Sequence, residues 1–427
     1  MFKVLGKPLI QYVVEALKEA GLRDLVIVTG HNGEQIRNHF KDGHQFNVHI
    51  EYTTQKESLG MANALETAKG LVRDQFFVVN ADDVFESSLI KRILEQHKQS
   101  GAEVVLSCKP VKETWKFGII EKEKERVTKF VEKPPKGTEP SNLAVIGAYV
   151  LPNQIFDYYQ EIRVSDHQYE DAIERFIQKG NLVSAVVYDG FFAGCKFPWD
   201  LFAINRYLMD KHIKTPRIED DVNVSKAVVE GNVWIRRGSR VLEGSCVRGP
   251  CYIGASSYVG NNSLVWNYSS IGDNCVVGFS TEIKHSLIGD NCWFHMNYIG
   301  DSIVGDDCSF GAGTITANFR FDEKSVKVNL DGRRVDSGLD KLGALIGDGS
   351  KTGINACLAP GVKIGPRSIV GPHVNLQDDL RPGKMVLVDR ESYVLKENKI
   401  TISPEKRQEL KKKLMKYKPR GRRKTPI

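Results

Sequence analysis

From Val229 to Ile283 every sixth residue is Val or Ile: Val229, Ile235, Val241, Val247, Ile253, Val259, Val265, Ile271, Val277 and Ile283. The beat returns at Ile346, Thr352, Leu358, Ile364, Val370 and Leu376, and glycine often comes next, as at Gly254, Gly260, Gly272 and Gly278. A helix repeats at about 3.6 residues and a half-buried strand at about 2, so neither produces this spacing. A parallel β-helix does. Each of its short strands sends one aliphatic side chain into a triangular core, and glycine eases the corner that follows. Residues 215–390 are therefore expected to form a left-handed parallel β-helix of hexapeptide repeats.

The beat fails between Ile283 and Ile346. Ile288, Ile299 and Val304, each followed by Gly-Asp, are unevenly spaced, and the charged stretch 318–342 interrupts the coils. Segments that leave a solenoid commonly carry function. A tolerated surface loop is the plainer alternative.

The first 214 residues read differently. An amphipathic helix is expected over 7–20, with Leu9, Val13, Val14 and Leu17 on one face. Strands at 25–29, 48–52, 75–80 and 103–107 alternate with helices at 34–40, 61–69 and 89–99. That alternation predicts a mostly parallel sheet with both faces covered, and ligands beyond the strand ends, near Asp82. A helix over 201–214 would lead into the solenoid.

At 427 residues the chain is too long for one typical core. The overall charge of +7 is uneven: residues 396–427 hold 13 Lys or Arg against 3 Glu, which leaves the body at about −3. Residues 391–427 thus form a basic tail, with a short helix expected over 404–417 and a basic run over 418–424. No aromatic interleaving or apolar face points this tail to nucleic acid or membrane. The eight cysteines form no CxxC pair and no zinc spacing. Several fall in the hexads as small core residues, which suits a reducing, cytoplasmic setting. There is no run of apolar residues long enough to span a bilayer and no signal-peptide pattern.

Five segments of the first half stand in a telling order: Gly6-Lys7-Pro8-Leu9-Ile10, Gln55 with Leu59-Gly60, Asn80-Ala81-Asp82, Val131-Glu132-Lys133-Pro134 and Gly147-Ala148-Tyr149. The series resembles the sugar-1-phosphate nucleotidylyltransferases, whose Rossmann-like α/β domain attaches a nucleotide to a sugar phosphate with Mg²⁺. The resemblance implies nucleotide-sugar binding by Gln55, Gly60, Glu132 and Lys133, metal binding by Asp82, and UTP or dTTP as the nucleotide. The family opens with a strand and a Gly-rich phosphate loop ahead of the Gly-Lys-Pro segment, and this chain starts after them. The expectation is that translation starts ~20–25 residues upstream, since a missing central strand would leave buried edges unpaired. An in-frame stop codon just upstream of Met1 would refute it. Further departures are Gly194 where the family has its second metal-binding Asp, Met61 in place of Thr and Val145 in place of Asn. They imply that the first site is vestigial.

The break in the solenoid carries a second resemblance. Phe294-His295-Met296-Asn297-Tyr298-Ile299-Gly300-Asp301, then Phe310-Gly311-Ala312-Gly313-Thr314, then Ala317-Asn318-Phe319, are similar to the acetyltransferase half of the bifunctional enzymes that acetylate glucosamine-1-phosphate and activate it with UTP. Members of the archaeal type are nearest, through Arg320 to Val328. An ammonium cannot attack a thioester, so a base of pKa near neutrality is needed, and histidine suits. The resemblance implies His295 as that base. Asn318 would hydrogen-bond either the acceptor or the tetrahedral oxyanion. Tyr298 would hold the sugar, and Lys284, Lys324 and Lys327 the phosphate. Backbone and small residues of later coils, around Ala344, Ser350 and Thr352, would bind acetyl-CoA. It also implies a homotrimer with sites between subunits. Trp266 stands where the family has a phosphate-binding Arg, so another amino sugar is an open alternative. Two other readings stay open: a regulatory subunit that binds a nucleotide sugar without turning it over, and an active nucleotidylyltransferase if the chain begins further upstream.

Overall fold

The structure is a computed structural model, which describes residues 1–165, 167–389, 397, 399 and 403–415. The chain forms two compact units, Met1–Leu387 and Val388–Ile427. In the second, Pro404–Met415 is the expected helix, and the basic run 418–424 lies outside the described residues. Among the described residues no helix is long and apolar enough to cross a membrane.

The N-terminal half holds a six-stranded sheet in the order Gln75–Val79, Leu143–Pro152, Val104–Pro110, Val183–Val187, Arg126–Glu132, Gly118–Glu123. The expected parallel sheet is not what forms. Leu143–Pro152 runs antiparallel to both neighbours, and only Val104–Pro110 and Val183–Val187 are parallel. The cause is a switch in connection after residue 110: Gly118–Glu123 and Arg126–Glu132 are joined by a tight turn, which makes them antiparallel. Asp24–Thr29 and His49–Thr54 form a separate parallel pair. Gln75–Val79 and Asp24–Thr29 each pair with one strand only, so each keeps a free edge.

Helix Leu9–Glu19 was expected to bury a single face. It buries Ile10, Tyr12, Val13, Val14, Ala16 and Leu17, which wrap more than half its circumference. Ile10 and Val14 join the cluster of Phe40 and Ile50, Val13 and Leu17 that of Leu89 and Ile93, and Tyr12 that of Ile204 and Tyr252. Tyr12 also donates its hydroxyl to the Val4 carbonyl at 2.8 Å. The helix thus ties the two sheets to the solenoid.

The solenoid has three parallel sheets, one per face. The first face is lined inward by Ile235, Ile253, Ile271, Ile288, Val304, Ile346 and Ile364 in register. The second is lined by Val241, Val259, Val277, Phe294, Phe310 and Thr352. The third is lined by Val247, Val265, Ile283, Ile299, Thr316 and Leu358. These side chains form one continuous core. Cys251, Cys275, Cys292 and Cys308 are buried in it as expected, whereas Cys246 is half-buried and Cys357 exposed.

The lost beat has a simple origin. From Ile283 to Ile288 and from Ile299 to Val304, the corner between third and first faces is one residue shorter than from Val265 to Ile271. From Phe294 to Ile299, the corner between second and third faces is likewise one residue shorter than from Val277 to Ile283. The core residues still fall in place; only the corners contract. The excursion that follows is ordered as well. Lys327–Leu330 and Arg333–Asp336 pair as a hairpin, and Val326, Val328 and Leu342 are buried against Ile303 and Leu345.

Candidate functional site

The short corners bring polar side chains into one column. His285 and Asp301 take the left-handed conformation, with φ of 47° and 45°, on consecutive coils. Asn318 comes next, where the chain leaves the solenoid, and its carbonyl accepts from the Leu342 N–H at 2.9 Å as the chain returns. The three are linked. Asn318 Nδ2 donates to Asp301 Oδ2 at 2.5 Å and to the Tyr298 hydroxyl at 3.2 Å. His285 Nδ1 stands 3.4 Å from Asp301 Oδ1, and Nε2 is 3.2 Å from Asn267 Oδ1. Burial, reinforced by the Asp301 charge, pushes the Tyr298 phenol up from its ordinary value, so it stays a neutral hydroxyl.

Gly300 sits beneath this pair. A Cβ there would lie 2.6 Å from the Tyr298 hydroxyl and 2.8 Å from Asn318 Nδ2, so the site needs a residue without one. Lys284 pairs with Gly300 across the third face and holds its ammonium 5.4 Å from the Trp266 ring centre. Arg248, from the coil before, lies 4.8 Å from the same ring. The indole N–H donates to Glu282 Oε1 at 2.6 Å. Trp266 therefore carries no charge of its own but gathers two cations by cation–π contact.

The structure brings Tyr298 and Asn318 together, and Lys284 lies in register with Gly300 on the coil before. His295 is exposed at the adjoining short corner, three residues before Tyr298. Its N–H meets Asn297 Oδ1 at 2.5 Å, and its ring forms no hydrogen bond to another described residue. Lys324 and Lys327 are exposed on the excursion. The coils expected to meet the donor carry the side chains of Ala344, Ser350 and Thr352 inward. Ala344 is fully buried, and Ser350 and Thr352 are 2% and 9% exposed. They face the interior, where Ser350 Oγ donates to the Gly365 carbonyl and Thr352 shares a hydrogen bond with Thr314, so contact with a donor at these positions would be through backbone groups. His285, Asp301 and Glu282 were missed from sequence. The Ile-Gly-Asp triplet at Ile299 was a visible trace of Asp301, but its partners are set by coil stacking.

In the N-terminal half, Gln55 is spent on its own loop, donating to the Gly60 carbonyl at 3.0 Å and to Asn63 Oδ1 at 2.9 Å. Glu132 pairs with Lys133 at 3.1 Å and lines a cavity of about 340 Å³ with His167, Glu170, Asp171 and Glu174. Asp82 is exposed at its strand end. Its neighbour Asp83 turns inward, 5% exposed, and accepts from Asn80 Nδ2 at 3.1 Å. Burial, and then the Asp82 charge, push the Asp83 carboxyl up to about 7. The backbone of Gly147 and Gly194 closes over it, and a Cβ at Gly194 would come within 2.7 Å of Asp83 Oδ1. Mg²⁺ is held by one or two carboxylates beside substrate phosphates. Here Gly194 offers no oxygen, Asp83 faces the core, and among the described residues no cluster of three or more His, Cys, Asp or Glu forms. Asp82 thus stands at its strand end as a single exposed carboxylate.

A family model described as nucleotidyl transferase matches residues 1–222, and one described as bacterial transferase hexapeptide matches residues 343–377. The chain is 35% identical over 410 residues to the "Bifunctional protein GlmU" of Methanococcus maripaludis, spanning 94% of this chain and 93% of that one. It is 33% identical over 396 residues to the "Bifunctional sugar-1-phosphate nucleotidylyltransferase/acetyltransferase" of Sulfurisphaera tokodaii, spanning 90% and 93%. Over 212 residues it is 36% identical to the "UTP--glucose-1-phosphate uridylyltransferase" of Staphylococcus epidermidis, spanning 42% of this chain and 74% of that one.

Proposed function

The chain belongs to the family of bifunctional sugar-1-phosphate nucleotidylyltransferase/acetyltransferases, and from that premise we propose that its solenoid moves an acetyl group from acetyl-CoA to the amine of an amino-sugar 1-phosphate. The observation that carries the reading is the pairing of Tyr298 with Asn318 beside Lys284 at contracted corners of the solenoid. His295, unencumbered at the neighbouring corner, takes a proton from the acceptor ammonium. The freed nitrogen forms the C–N bond, and the C–S bond breaks with CoA thiolate leaving, to be protonated in turn. No enzyme acyl intermediate is needed. Lys284, with Arg248 across Trp266, meets the sugar phosphate in place of a single Arg fork, and Lys324 and Lys327 close over it from the excursion. The donor is assigned to the exposed apolar corner beside His295, where Met296 and Ile354 are 53% and 50% exposed.

The N-terminal half is proposed to be a scaffold impaired in nucleotidyl transfer, on the strength of Gly194 and the inward Asp83. A regulator that only binds nucleotide sugars would have no use for a His295, Tyr298 and Asn318 set. Two assays test these readings. Release of CoA is followed with glucosamine-1-phosphate and galactosamine-1-phosphate, and release of pyrophosphate with UTP or dTTP together with the N-acetylated sugar 1-phosphate as acceptor. CoA release from one acceptor, and a loss of about 10²–10⁴-fold in kcat with His295→Ala, is expected. Equal turnover by the variant would end the role of His295, and pyrophosphate release at an ordinary enzymatic rate would end the scaffold reading.

A further inference from the structure

We infer that Asp301 is a positioning residue for the acceptor amine, acting through Asn318. The inference rests on the acetyl-transfer reading of this site. A carboxylate only accepts hydrogen bonds, so the group of Asn318 that faces Asp301 Oδ2 is its NH₂. The second hydrogen of that NH₂ goes to the Tyr298 hydroxyl. With both donors committed, Asn318 offers its carbonyl oxygen alone. That oxygen can receive an N–H of the acceptor amine; it cannot donate to an oxyanion. Of the two roles open to Asn318 from its sequence, the geometry keeps the first. An amine steered by one of its hydrogens turns its lone pair in a fixed direction, and such orientation is a large part of what a site contributes to rate.

Asp301 is itself held on every side. Its N–H donates to the Lys284 carbonyl at 2.8 Å, and its own carbonyl accepts from Gly343 N–H at 2.7 Å. Its side chain is 13% exposed, with Oδ1 toward His285. The contracted corner sets this position, and the left-handed backbone there suits Asp, Asn or Gly. Those tolerances define clean variants. Asp301→Gly removes the carboxylate without straining the backbone. Asp301→Asn keeps an oxygen that Asn318 can reach.

Full-length wild type, Asp301→Gly, Asp301→Asn, Asn318→Ala and the Asp301→Gly/Asn318→Ala double variant are compared by CoA release and thermal melting. Asp301→Gly is expected to lose about 10- to 100-fold in kcat/KM for the amino-sugar phosphate, with the KM for acetyl-CoA and the melting midpoint unchanged. Asp301→Asn is expected to recover most of that loss. The double variant is expected to be no worse than Asn318→Ala, because the two residues act as one unit. Unchanged acceptor kinetics in Asp301→Gly, or losses that multiply in the double variant, overturn the positioning role and leave acetyl transfer standing. Absence of CoA release by the wild type with every acceptor overturns the acetyl-transfer reading and this inference with it.

Discussion

At the scale of single residues, the site is governed by what is absent as much as by what is present. Gly300 leaves room for the Tyr298 hydroxyl and the Asn318 amide to meet, and its φ is not in the left-handed region. Alanine there keeps the backbone but pushes on two side-chain ends. Gly300→Ala is expected to cut kcat/KM about 10²-fold through misplacement of the acceptor, while a melting curve shifts little. A large drop in melting midpoint with activity per folded molecule intact would count against this account. His295, Tyr298 and Asn318 were proposed from sequence because each lies within a local motif. Asp301 and His285 were not, because their meaning depends on coils that stack only in the folded chain. Sequence also shows where a residue falls in the beat: Thr352 falls on the inward position, and its side chain is buried.

At the scale of elements, the contracted corner is the device. Strand length and core position are the same in coils with and without a contracted corner; Phe294 and Ile299 point inward just as Val277 and Ile283 do. Only the corner between them is one residue shorter. Its length can therefore change without moving the core, and the residue at stake is His295. Inserting Gly between His295 and Met296 restores the six-residue spacing of neighbouring coils. The expected outcome is a protein with an unshifted melting midpoint that has lost as much acetyl transfer as His295→Ala. Retained activity would show that the short corner has no part in placing the base. The hexads themselves were read from sequence strand by strand, since one inward residue per six is a strict signature. The excursion was expected as an irregular loop because its charged residues hide Val326 and Val328. Those two alternate with exposed Lys327 and seat the hairpin on the solenoid.

At the scale of the whole molecule, the two halves share one packed unit. Tyr12, Ile204 and Leu208 from the first half bury against Tyr252, Leu287 and Ile303 of the solenoid, so the fold of the first half supports the solenoid whether or not its own site turns over. The sheet order of that half was not legible, because alternating strands and helices early in the chain gave no warning of the hairpin at 118–132. What the solenoid leaves uncovered is more telling. Trp293, Phe279, Met296 and Ile354 are 51%, 58%, 53% and 50% exposed; the first three lie on the His295 coil and the coil before it, and Ile354 stands two coils further along the same corner. Apolar side chains gathered in this way mark contact surfaces. A second copy of the chain seated there would bury them and enclose the base from the side that this chain leaves open. Sedimentation is expected to give a particle of three 47.9 kDa chains. Trp293→Glu, an outward substitution that leaves the core untouched, is expected to yield monomers that melt near the wild-type solenoid but release little CoA. A monomeric Trp293→Glu with full turnover would show that one chain completes the site by itself, and that the exposed corner serves only the donor.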